Sequence, residues 1–138
     1  MNLRSERRRA SRQMEWAEQT ILAEQFEELL DATCTFWTCI KNRPWSRLAG
    51  ILQKKRGVRS GMPDTRIHCS GRLIGIELKS WFGRVSAAQQ KVRTEMLASG
   101  AQWYCCSTAT AALTALHRAG ASLGVEAADT CGVGRACL

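Results

Sequence analysis

A chain of 138 residues with 45% hydrophobic and 23% charged residues is the size and balance of one globular domain, which argues against wholesale disorder. Lys and Arg number 20 against 12 Asp and Glu, and the resulting charge of +8 points to a polyanionic partner, with nucleic acid ahead of an anionic membrane. No apolar run reaches the ~20 residues of a spanning helix and none follows the basic N-terminus as in a signal peptide, so a cytoplasmic chain without a membrane segment is expected.

Residues 1–12, with "RSERRRASR", read as a basic arm that a phosphate backbone would meet without sequence preference. The domain follows over 13–120. Trp16, Ile21, Leu22, Phe26, Leu29 and Leu30 recur at steps of three and four, predicting a helix over 13–31 with one apolar stripe. "CTFWTCI", 34–40, is β-branched and aromatic, predicting a strand that Pro44 breaks. "SRLAGILQKKRG", 46–57, predicts a short helix ending in Lys54, Lys55 and Arg56 and stopped by Gly57. Residues 65–69 and 73–79 predict two strands around Ser70 and Gly71. Ser86 and Gln89 form a capping-box pattern that opens a helix over 86–99, closed by Gly100. "QWYCC", 102–106, predicts a further strand, and 108–118 a last helix ended by Gly120. Residues 121–138, rich in Gly and Ala without a period, read as a loose tail. This order predicts an α/β domain with a mixed central sheet flanked by helices. The seven Cys are odd in number and include no C-x-x-C pair, so small reduced thiols are expected instead of a disulfide framework or zinc ribbon.

The hairpin places chemistry. With Ser70 and Gly71 as the two central residues of a tight turn, Cys69 faces Arg72 and paired residue numbers sum to 141. Asp64 then lies opposite Glu77, with Cβ atoms about 4.5–5.5 Å apart. Glu77 and Lys79 share a strand face, while Ile74, Ile76 and Leu78 point away into a core. Directly opposed carboxylates repel unless something neutralises them. Lys79 does so in part. A divalent cation does so better, because Mg²⁺ is held by one or two carboxylates together with waters and phosphates. A basic chain around an acidic centre suits a site where metal meets phosphate.

At these residues the chain resembles the PD-(D/E)xK nuclease superfamily, and within it the virus-type replication-repair nuclease (VRR-NUC) domain. The likeness runs over 15–120. It is carried by "KRGVRSGMPD" (55–64), "IELK" (76–79), "GRVSAAQQ" (83–90) and "LASGAQWYCCST" (97–108). The resemblance implies a restriction-endonuclease-like core and a metal-dependent endonuclease acting on DNA, with branched, flap or junction forms as candidate substrates. It implies Mg²⁺ as cofactor, with Mn²⁺ as a substitute, and a homodimer able to cut two strands. By the same resemblance Asp64 and Glu77 are metal ligands, and Lys79 is the catalytic lysine that orients or activates water and steadies the phosphate. Gln89 supports the site, and it could equally be a helix cap. The family also places a glutamate on the first helix: Glu18 fits best, and Glu15, with Gln19 one turn on, is the runner-up. The stretch 32–59 is longer than compact members need and reads as a lid, a DNA-contacting insertion or a packing element.

Lys54, Lys55, Arg56, Arg59 and Arg84 flank the acidic centre in sequence and are the candidate phosphate contacts, which position a duplex without reading it. His68 shares the face of Asp64 but lies toward the turn and reads as polar surface, and His117 as helix surface. Trp81 and Phe82 follow the E-x-K strand and read as packing under their own loop, with base stacking as the alternative. A nucleic-acid-binding scaffold of the same fold without activity is the rival to the enzyme. The full set of Asp64, Glu77, Lys79 and Gln89 argues against it, since a binder has no need to retain an energetically expensive acidic cluster. The lack of ligand-spaced Cys and His argues against a structural metal protein.

Overall fold

The computed structural model describes residues 3–30, 35–40, 44–81 and 83–121. Its elements run α1 (Leu3–Leu29), β1 (Thr35–Cys39), α2 (Arg47–Lys55), β2 (Thr65–Cys69), β3 (Arg72–Leu78), α3 (Ala87–Ala98), β4 (Gln102–Cys106) and α4 (Ala109–Arg118). The strands form one sheet in the order β1-β2-β3-β4, antiparallel across the first three and parallel between β3 and β4. Helix α3 is the crossover that a parallel pair requires. The domain is therefore mixed α/β with a mixed sheet, as the element order predicts.

Period-two alternation along β3 sorts its side chains into two layers. Ile74, Ile76 and Leu78 face a core shared with Ile67 of β2, Leu22 and Phe26 of α1, and Ala112 and Leu116 of α4. Phe26 meets Trp37 of β1 edge-to-face at 5.2 Å. Each fully buried aliphatic side chain in this layer contributes about 1.5–3 kcal/mol. The opposite face is covered by α3, where Val92 and Met96 pack with Trp103, Cys105 and Leu73. Glu77 belongs to this second layer, at the end of β3 nearest the start of α3.

The hairpin has the expected register. Cys69 pairs with Arg72 and Thr65 with Ile76, which brings Asp64 opposite Glu77 just past the ladder. Ser70 and Gly71 both hold positive φ, 50° and 76°, the mark of a type I′ turn whose twist suits a two-residue hairpin.

Other expectations shift. Residues 3–12, expected as an arm outside the domain, are the first turns of α1. Charge alone suggested separation, but Arg and Ala are strong helix formers and no Gly or Pro interrupts them. Trp16 and Ile21, expected in the apolar stripe of that helix, are exposed, while Leu22 and Phe26 are buried. Ser46 caps α2 by accepting from the Ala49 amide at 3.1 Å, yet α2 buries only Ala49 and leaves Leu48, Ile51 and Leu52 exposed, as is Trp45 just before it. It therefore packs little against the domain. Among the described residues Cys39, Cys69, Cys105 and Cys106 are free thiols, and all but Cys39 are buried. No helix among the described residues is long and apolar enough to cross a membrane. The expected tail over 122–138 and Phe82 lie outside the described residues.

Candidate active site

The loop that delivers Asp64 is fixed by close packing. Gly61 has φ +84°, and a Cβ there would lie 2.4 Å from the carbonyl carbon and oxygen of Ala88, so the loop rests on the first turn of α3. Pro63 is buried next to Gly75 of β3, where a Cβ would meet its Cγ at 2.7 Å. Asp64 follows at once. Its carbonyl accepts from the Ile40 amide at 2.8 Å and its Oδ2 from the Leu78 amide at 3.2 Å, tying it to both neighbouring strands. The Gly-x-Pro-Asp pattern is thus a packing device with a carboxylate at its end.

Glu77 is 1% exposed. Its Oε1 receives the Lys79 ammonium at 3.0 Å and a short hydrogen bond from Gln89 Nε2. Its Oε2 is buried with no hydrogen-bond partner. Burial, and next the charge of Asp64, raise its pKa from the ordinary 4.5 to about 7, against the pull of Lys79. Gln89 makes a separate contact at each end of its amide, the helix cap at one and Glu77 at the other. Oε1 accepts from the Ser86 amide at 2.8 Å and the Gln89 amide donates to Ser86 Oγ at 3.2 Å, which closes the capping box. With Oε1 occupied, Nε2 is left to face Glu77. The start of α3 therefore orients the carboxylate.

Lys79 is half-buried. Burial acts to lower its pKa, but Glu77, assisted by Glu15 and Asp64, outweighs it, so the pKa is raised and the side chain is an ammonium at neutral pH. The first-helix glutamate beside it is Glu15. Its Oε1 accepts from the Ser80 amide at 3.1 Å and from Ser11 Oγ at 3.4 Å, and Ser11 and Ser80 share a short hydrogen bond. Glu18, the expected residue, is committed elsewhere. Its Oε2 accepts from the Ala109 amide at 2.8 Å, capping α4 at the end where the helix dipole favours an anion. The two glutamates lie one turn apart on the same helix face, and apolar spacing could not separate them. Gln19 donates to Thr65 Oγ1 at 2.9 Å, beside Asp64 in the chain.

The basic candidates divide. Lys54 and Arg59 line a cleft of about 290 Å³ with Ala88 and Lys91 on the far side of the Gly61 loop, and Arg59 pairs with Glu95. Lys55 and Arg56 are exposed at the end of α2. Arg84 lines a different and larger groove of about 1150 Å³ that contains Glu15 and Lys79. Missed in the sequence were the arginines of α1 (Arg4, Arg7, Arg8 and Arg12), which form a wall of that groove. Their spacing of three and four residues was the available signal. Trp81, expected to pack, is 62% exposed on the same groove. His68 is exposed beside Phe36, as expected of surface, and His117 is exposed near the end of α4.

The arrangement has the donors a hard cation would take. Asp64 and Glu77 are hard oxygen ligands, and the orphaned Oε2 is a buried acceptor with nothing to accept. Among the described residues no three His, Cys, Asp or Glu side chains gather as a full cage. Two carboxylates completed by water and substrate phosphate are nonetheless what Mg²⁺ commonly uses, so the residues fit it. No family model, curated protein or solved structure matches the chain.

Proposed function

We propose that this protein is a metal-dependent DNA endonuclease of the PD-(D/E)xK type, resembling the VRR-NUC domain, which hydrolyses phosphodiester bonds in the cytoplasm. The observation that carries the reading is the buried Glu77. It is held between Asp64, Lys79 and Gln89, with one oxygen unsatisfied. A carboxylate so placed costs stability, and structures keep such cost where chemistry uses it. Asp64 and Glu77 would hold Mg²⁺, or Mn²⁺ in its place. The cation, when bound, supplies positive charge to the phosphate and lowers the pKa of a water.

The chain's own groups do the rest. Gln89 fixes the rotation of the Glu77 carboxylate. Lys79, charged at neutral pH, donates toward the scissile phosphate and stabilises the charge that builds there; it does not act as a base. Glu15 anchors the Ser80 backbone and so fixes the strand end from which Lys79 projects. Arg84, in the groove with Lys79, would meet the backbone beside the scissile phosphate, and Lys54, Lys55, Arg56 and Arg59, on the α2 side, would meet it farther along. The exposed apolar face of Trp45, Leu48, Ile51 and Leu52 is a candidate homodimer surface. The test is a cleavage screen with labelled linear, flap and four-way-junction DNA under Mg²⁺, Mn²⁺ or EDTA. Metal-dependent cutting of at least one form is expected. No cutting of any form leaves the scaffold reading in its place.

A further inference from the structure

A groove of about 1150 Å³ among the described residues is walled by arginines that the acidic centre does not use. Positions 4, 7, 8, 11, 12 and 15 of α1 follow steps of three and four and occupy one helix face. In an ordinary surface helix that stripe is apolar and buried. Here it reads Arg4, Arg7, Arg8, Ser11, Arg12 and Glu15, and it faces Lys79, Trp81 and Arg84 across about 1150 Å³. Among the described residues Arg7, Arg8, Arg12 and Arg84 form no ion pair.

The placement is costly without a partner. Arg8 and Arg12 are like charges at i and i+4, which destabilise an isolated helix. The first turns of a helix carry the positive end of its dipole, where anions are favoured and cations are not, and Glu6 is the one acid in the first turn. An extended polyanion along the stripe would relieve both penalties. The opposite side of the groove presents Trp81, 62% exposed, as a flat platform. A platform of that kind serves bases that are already unstacked. A paired duplex offers it only edges and backbone.

We propose that this groove binds a single, unpaired strand of nucleic acid, its phosphates on the α1 arginines and Arg84 and a base on Trp81, leading toward Lys79. This rests on the nuclease reading only for the strand's destination, since the binding chemistry belongs to the groove itself. It assigns the substrate a single-stranded segment and gives residues 3–12 a specific role in place of a loose electrostatic one.

The experiment is a binding titration in EDTA, on an Asp64→Ala background, with a short labelled mixed-sequence oligonucleotide either single-stranded or annealed. The single strand should bind more tightly than the duplex. Arg8→Ala/Arg12→Ala should weaken single-strand binding by about tenfold or more at low salt and lower the salt slope by about 1.4, the value for two lost phosphate contacts. Arg9→Ala/Arg118→Ala removes the same charge from exposed positions off the groove and should do much less. Trp81→Ala should lose roughly fivefold or more for the single strand alone. The proposal is overturned if Arg8→Ala/Arg12→Ala behaves like Arg9→Ala/Arg118→Ala, if Trp81→Ala binds as its parent does, or if phosphatidylserine vesicles bind and oligonucleotides do not. Stripe-dependent binding in a protein that never cuts would sink the nuclease and leave this groove standing. Cutting that ignores the stripe would do the reverse.

Discussion

Glu77→Gln should make the metal-free protein more stable at pH 8 and less sensitive to pH. Glu77 titrates near 7 in the folded protein because burial and Asp64 disfavour its charge, whereas in the unfolded chain it titrates near the ordinary 4.5. Between those values the folded state holds a proton that the unfolded state has released. Unfolding free energy therefore falls as pH rises through that window and levels off above it. The window spans about 2.5 pH units, and at about 1.36 kcal/mol per unit the loss is about 3 kcal/mol. Gln resembles the protonated acid in shape and charge and has nothing to lose. Urea unfolding in EDTA at intervals from pH 5 to 8, followed by circular dichroism, reads the difference between the two proteins. The gap should widen in favour of Glu77→Gln by a few kcal/mol across the window. Parallel curves would mean that Glu77 ionises as an exposed carboxylate does, and the buried-charge argument would fail. Saturating Mn²⁺ should close most of that gap at pH 8, adding about 2.7 kcal/mol to the wild type at a hundredfold excess over Kd and nothing to the variant.

Other substitutions divide structure from chemistry. Glu18→Ala takes the acceptor from the Ala109 amide while Thr108 still caps α4, and should cost about 1 kcal/mol by thermal or urea unfolding, with single-turnover cleavage by the folded protein unchanged. Glu15→Ala leaves the buried Ser80 amide without its acceptor and should cost about 1 kcal/mol as well, but unlike Glu18→Ala it should also slow cleavage. Gly61→Ala drives a Cβ into the Ala88 backbone at a positive φ and should cost more than about 3 kcal/mol, read as a large drop in denaturation midpoint; a neutral result would contradict the packing of the Gly-x-Pro-Asp loop. Gln89→Glu sets a third carboxylate against Glu77, and calorimetry should find its Mn²⁺ affinity altered while wild-type binding follows pH, weakening below about 7 as Glu77 takes up its proton.

Much of the centre was legible because its parts obey short-range rules. A two-residue turn fixes register, and register alone brought Asp64 opposite Glu77 and turned Ile74, Ile76 and Leu78 toward the core. Capping chemistry placed Ser86 and Gln89, and the amide of Gln89 then had only one end left for the site. The first helix was harder. Apolar periodicity finds its buried half, Leu22 and Phe26, but the inward face of its other half is Ser11, Glu15, Glu18 and Gln19. These polar residues serve tertiary partners 46 to 91 positions away, as with Thr65, Ser80 and Ala109. Nothing local says which glutamate meets which partner. The arginine stripe is hidden for a related reason: the density of its charges suggests a separate arm, while their spacing is that of a helix face. Trp81 also escaped, since whether a loop aromatic is covered depends on neighbours that no local pattern specifies.

The measurement that bears most directly on the enzyme reading is single-turnover cleavage by Lys79→Ala beside a binding titration of the same protein. Lys79 stands 3.0 Å from Glu77, charged and half-buried, where an ammonium can act on a phosphate held at the centre. If it serves the transition state, the cleavage rate should fall about a hundredfold or more while DNA and Mn²⁺ affinities change little. Lys79→Arg should also be slow, because a planar fork does not replace a compact ammonium. A Lys79→Ala protein that cuts at the wild-type rate, or that loses only the affinity of one phosphate contact, would contradict the account.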